Sequence, residues 1–110
     1  MKEKMVLKGV PASGGIVEGV VKVVSGPQDN ATFDEGDILV ARFTEPSMVL
    51  MMNKAAAVVT DIGGLTSHAA IITRELGIPC VTNTKVGTTV LKDGERVRVD
   101  GDKGEVSRIT

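Results

Sequence analysis

Tryptophan and tyrosine are absent from this 110-residue chain, and phenylalanine occurs only as Phe33 and Phe43. A chain so poor in rings offers no row of stacking platforms for unpaired bases, the usual means of holding single-stranded nucleic acid. Its core must be built from Val, Ile, Leu, Met and Ala. An excess of charge of one sign is also missing: 13 Lys and Arg against 14 Asp and Glu give a net charge of −1, with no basic block. That balance argues against capture of nucleic acid or an anionic membrane by charge. Cys80 is the only cysteine, which leaves no disulfide framework and no cysteine zinc motif, and a reducing, cytoplasmic setting is expected. No stretch approaches the ~20 apolar residues of a membrane-spanning helix. The apolar run in "MKEKMVLKGV" is too short for a signal peptide. Histidine, finally, occurs once, as His68.

What is present fits one globular domain over residues 1–110, with 42% hydrophobic and 25% charged residues. "GIVEGVVKVV" (Gly15–Val24) is rich in β-branched residues and bounded by turn formers, so it reads as a strand. "GDILVARF" reads as a second strand. "PSMVLMMNKAA" (Pro46–Ala56) carries straight-chain helix formers behind a proline suited to a first turn, and reads as a short helix. Its Met48, Met51 and Met52 are core filling or, alternatively, a docking face. "AAVVT" and "CVTNT" read as further strands, and "GERVRVDGDKGEVSRI" as a surface hairpin turning at "DGDKG". Helices alternating with strands between strand-rich ends point to a compact α/β domain, layered or barrel-like.

The chemistry concentrates in "AVVTDIGGLTSHAAIITRELGIP", which parses as strand, glycine loop, helix and stop. Thr66 or Ser67 supplies a capping hydroxyl for the first turn. Gly77 and Pro79 end the helix. Ala69, Ile72, Thr73 and Leu76 are expected on the face that packs against the sheet. His68 therefore lies in the first turn. There the positive end of the helix dipole disfavours imidazolium, so the neutral ring keeps a lone pair for nucleophilic attack. The same unpaired N–H groups would stabilise an attached phosphoryl group. The residues alone leave a second reading open, with His68 a capping or packing residue and the glycines a mere tight turn. No Walker A loop accompanies them.

"GGLTSHAAIITRELGIP" closely resembles the phosphohistidine signature of the phosphoenolpyruvate-utilising enzymes: phosphoenolpyruvate synthase, pyruvate phosphate dikinase and enzyme I of the sugar phosphotransferase system. Gly64, Thr66, His68, Ala69, Ala70, Ile71, Ile72, Thr73 and Arg74 fill the nine specified places. "GVPASGGIVEGVVKVV", "DILVARFTEPSMVLMMNKAAAVVTDIGG" and "GIPCVTNT" extend the resemblance over nearly the whole chain. It implies the family's mobile, swivelling β/β/α phosphohistidine domain, here as a stand-alone chain.

The resemblance also implies roles. His68 is the residue phosphorylated, through Nε2. Thr66 positions the imidazole or contacts the phosphate, and in some relatives its place is a regulatory phosphorylation site. Gly64 and Ser67 shape the phosphate-binding turn. Arg74 lies about 9 Å along the helix axis from His68 and on another face, which suits docking or a structural salt bridge better than the same phosphate. Cys80 is expected to be buried and structural. Ser47 replaces an acidic residue usual in the loop after "TEP". No ATP-grasp domain, phosphoenolpyruvate-binding barrel or metal-binding carboxylate set is present. The expected function is therefore a phosphoryl carrier that works with an ATP-grasp nucleotide-binding chain, a phosphoenolpyruvate- or pyruvate-binding barrel chain, or both. Mg²⁺ with ATP or phosphoenolpyruvate would sit at those partner sites, with no cofactor or metal held by this chain alone. The alternative is a non-catalytic regulatory or interaction module that keeps the fold.

Overall fold

β-branched and aliphatic residues without polar alternation occupy the middle of the chain, and they form the centre of the sheet. The structure, a computed structural model, describes residues 3–109. Its strands are β1 (Glu3–Lys8), β2 (Val10–Ser13), β3 (Ile16–Val24), β4 (Ile38–Ala41), β5 (Ala57–Thr60), β6 (Cys80–Thr82), β7 (Arg96–Asp100) and β8 (Glu105–Ile109). Its helices are α1 (Val49–Lys54), α2 (His68–Leu76) and α3 (Gly87–Val90). The strands form one sheet in the order β1-β8-β7-β3-β4-β5-β6-β2.

β3 joins two kinds of pairing. Ile16–Val20 run antiparallel to β7, and Val21–Val24 run parallel to β4. From there β4, β5 and β6 continue parallel. All four residues of β4 and all four of β5 are buried, because both faces of this region are covered. Leu39, Ala41 and Val58 pack on one side with Met48, Met51, Met52, Ala69, Ala70 and Cys80. Ile38, Val40, Ala57 and Val59 pack on the other with Leu91, Val97, Val99 and Val106. The period-two alternation of a strand thus divides one apolar run between two cores.

β1 and β2 stand at opposite ends of the strand order, yet Gly9 alone separates them in the chain. The two edges must therefore meet, and the sheet curls into a barrel-like form. Gly9 N donates to Gly104 O at 2.8 Å across this seam.

Several expectations change. The carboxy-terminal hairpin pairs as read, but it is no surface feature: Val97, Val99 and Val106 are fully buried and β7 is bonded to β3 on its other side. The expected single helix over Pro46–Ala56 is a 3-10 turn, Pro46–Met48, leading into α1. Met48, Met51 and Met52 are at most 3% exposed, which makes them core and not a docking face. On α2 the buried residues are Ala69, Ala70 and Thr73, and Leu76 is exposed. Small side chains let the helix sit close to the sheet, so the buried stripe centres on them, and Leu76 in the last turn falls outside it. Thr73 is buried without penalty, because its hydroxyl donates to Ala69 O at 2.7 Å.

Candidate phosphohistidine site

The site is built where parallel strands end. β4 and β5 are neighbours, so the loops leaving their carboxyl ends run side by side: Asp61 N donates to Ala41 O and Ile62 N to Arg42 O. The loop after β4 carries Thr44, and the loop after β5 leads through Gly63 and Gly64 into α2.

α2 begins at His68. Ser67 is its N-cap, with an extended backbone, and its Oγ accepts from Ala70 N at 3.3 Å and donates to Gly64 O at 2.9 Å. Ile71 N is bonded to Ser67 O. The donors of the first turn left without a partner among the described residues are the N–H groups of His68 and Ala69. Gly63 makes the entry possible. Its φ of +119° disfavours any side chain, and a Cβ there would stand 3.1 Å from Ser67 Cβ and Oγ.

His68 is half-buried, and its Nδ1 lies 2.8 Å from Thr44 Oγ1. Nε2 makes no hydrogen bond among the described residues, and it is not one of their sealed polar atoms. The ring is therefore held at one nitrogen and open at the other. Thr44 is 6% exposed, so the fixed partner sits inward and the open nitrogen is the accessible one.

The remaining site residues fall around this pair. Thr66 is exposed, and its hydroxyl makes no hydrogen bond among the described residues. The hydroxyl within hydrogen-bond distance of the imidazole is that of Thr44, and Thr66 makes no such contact. The reason is topological, since Thr66 precedes the cap while Thr44 arrives from the neighbouring strand. Gly64 has open space where a Cβ would be. Arg74 donates from Nε to Ala12 O at 2.8 Å and from Nη2 to Leu65 O at 2.6 Å. It ties α2 to β2 and to its own entry loop through carbonyl oxygens and forms no ion pair among the described residues. Ser47 donates to Glu45 at 3.4 Å.

Cys80 is fully buried in the core beneath α2, and burial pushes its thiol up to about 11. The thiolate is the reactive form, so folded protein should resist alkylation at mildly alkaline pH and react once unfolded, as thiol counting with and without denaturant will check. No group of three or more His, Cys, Asp or Glu is placed to hold a metal among the described residues.

Comparison with known proteins decides the family. Residues 33–104 match the model of the PEP-utilising enzyme, mobile domain. The chain belongs to that family. A probable phosphoenolpyruvate synthase of Archaeoglobus fulgidus is 56% identical over 103 residues, which are 94% of this chain and 14% of that protein. The phosphoenolpyruvate synthase of Pyrococcus furiosus is 53% identical over 103 residues, 94% of this chain and 13% of that protein. This mobile domain thus spans about one seventh of the length of these relatives. Among solved structures, that of an Enzyme I protein is similar with a TM-score of 0.60 and 38% identity, over 67% of this chain and 31% of that one. Part of the site was missed in the sequence. Thr44 lies 24 positions from His68, a spacing with no helical or strand period behind it, and only the parallel pairing of β4 with β5 joins them.

Proposed function

We propose that this mobile domain is a phosphoryl carrier whose His68 Nε2 takes a phosphoryl group at one site and surrenders it at another. The supporting observation is the imidazole at the start of α2, engaged by Thr44 at Nδ1 and unengaged at Nε2. For Nε2 to attack, the ring proton sits on Nδ1 and is donated to Thr44 Oγ1, which selects the tautomer with its lone pair outward. The Nε2–P bond forms as the P–O bond of the donor breaks, and that electron pair leaves on the donor oxygen. In the second transfer an acceptor oxygen attacks phosphorus and the N–P pair returns to the ring. Nδ1 keeps its proton throughout, so Thr44 holds one geometry in both states. The unpartnered N–H groups of His68 and Ala69 at the start of α2 stabilise the charge that the ring acquires, and in this reading Thr66, Gly64 and Ser67 shape the turn that contacts it.

Such transfer depends mainly on positioning and charge stabilisation. This chain supplies the nucleophile and its orientation. An ATP-grasp chain, a phosphoenolpyruvate- or pyruvate-binding barrel, or both would supply the donor, the acceptor and Mg²⁺.

Phosphoramidate, a small phosphoryl donor that needs no partner protein, tests the carrier step. The expected product is one acid-labile, alkali-stable phosphoryl group on His68, read by mass spectrometry and phosphorus NMR. Absence of label on folded protein points instead to the non-catalytic interaction module. Thr44→Val keeps the shape of the side chain but removes the acceptor at Nδ1. Labelling should slow by about 10–100-fold, the loss seen when a metal-bound histidine is deprived of its second hydrogen-bond partner, and the ring's tautomer ratio, read by nitrogen NMR, should shift with it.

A further inference from the structure

At the carboxyl ends of β3 and β4 lies a cleft of about 390 Å³ that the chemistry at His68 does not use. Its size is that of a small-ligand site, and crevices at the carboxyl ends of parallel strands are where ligands of α/β sheets are generally held. Val23, Val24, Phe43 and Met48 give it an apolar body, while Arg42 and Glu45 add one charge of each sign.

Two features of the lining are unsatisfied. Phe43, one of only two aromatic residues, is 46% exposed, whereas Phe33 is buried. The Arg42 side chain makes no hydrogen bond or ion pair among the described residues, and Glu45 only accepts from Ser47 at 3.4 Å. Arg42 and Glu45 do not pair with each other although three positions apart. A simple anion entering here would meet the Glu45 carboxylate, and a simple cation would meet Arg42. A small zwitterion with an apolar body satisfies both charges. Its carboxylate suits the two-pronged guanidinium, its ammonium suits Glu45, and its side chain lies against Phe43 and Met48.

We propose that this cleft binds a free α-amino acid with an apolar side chain, aromatic ones best. Thr44 stands between Phe43 and Glu45 in the chain, so an occupant bears on the segment that orients His68. Binding itself does not depend on the carrier reading.

The test is titration of the intact chain with phenylalanine, followed by amide-resonance NMR. Parallel titrations use 3-phenylpropionate, phenethylamine and N-acetylphenylalanine amide, which lack the ammonium, the carboxylate and both charges respectively. The expected result is a saturable shift of Val23, Val24, Thr44 and Met48, with each analogue at least about tenfold weaker, the scale of one lost charged hydrogen bond. Arg42→Gln, at an exposed and unbonded side chain, should keep the fold and lower phenylalanine affinity to that of phenethylamine. The proposal is overturned by the lack of a saturable shift, by equal binding of either singly charged analogue, or by Arg42→Gln binding phenylalanine undiminished. Equal binding of the N-acetyl amide overturns it too, and would make the cleft a pocket for a partner's side chain.

Discussion

His68→Ala should abolish the acid-labile phosphoryl label completely, whichever donor is used, while the domain stays folded. The loss is total because no other side chain is equipped to replace it. This is the only histidine, and the one cysteine is buried with its thiol raised to about 11. The hydroxyls of Ser67 and Thr44 are committed to hydrogen bonds. Thr66 alone has an exposed and unengaged hydroxyl nearby, but a phosphothreonine is stable in acid, so the lability of the label separates the two. Folding survives because Ser67, not His68, caps α2, and Ala69, Ala70 and Thr73 supply its buried face. The structural cost is confined to Thr44, which is left buried without its ring partner, at about 1–3 kcal/mol. Circular dichroism and the melting temperature will measure it. A labelled and folded His68→Ala protein would falsify the carrier assignment.

How much of this arrangement was legible beforehand follows from the range of the forces involved. The strand–glycine–helix unit around His68 could be read because caps, stops and apolar runs act within a few residues. Ser67, Gly77 and Pro79 carry that information locally. β4 and β5 were equally readable, since strands buried on both faces announce themselves as unbroken apolar runs. β1 was not: Leu7 is its only buried residue, so the short apolar run Met5–Leu7 shows no in–out alternation and the strand exists by virtue of its pairing with β8. α3, four residues long, is held by Asp61, whose carboxylate accepts from Thr88 N at 2.9 Å and from the Thr88 hydroxyl. That contact spans 27 positions and leaves no local trace. Thr44 belongs with these. Its hydroxyl meets His68 only because two parallel strands end together, and no spacing rule connects the two residues.

Gly101→Ala should be among the most destabilising single-methyl changes in the fold, for a reason that also reaches the site. A Cβ at Gly101 would stand 2.0 Å from Ser13 O and 3.1 Å from Pro79 Cβ, and Gly101 N already donates to Gly15 O at 2.7 Å. Main chain is packed on main chain here, at the seam where β2 meets the turn between β7 and β8, so no flexible side chain can move aside. Overpacking of this kind costs about 3 kcal/mol, which for a domain of this size lowers the melting temperature by more than about 10 °C. Gly64→Ala is the matched control: nothing lies within 4 Å of its added carbon, and its stability should stay within about 0.5 kcal/mol of the parent. The seam holds β2, and β2 supplies the Ala12 carbonyl through which Arg74 anchors both α2 and the Leu65 carbonyl of the entry loop. Gly101→Ala should therefore also slow phosphoramidate labelling of His68 at temperatures well below its melting point. A Gly101→Ala protein that melts with the parent would mean the two sheet edges do not close on each other, and the route from seam to imidazole would go with them.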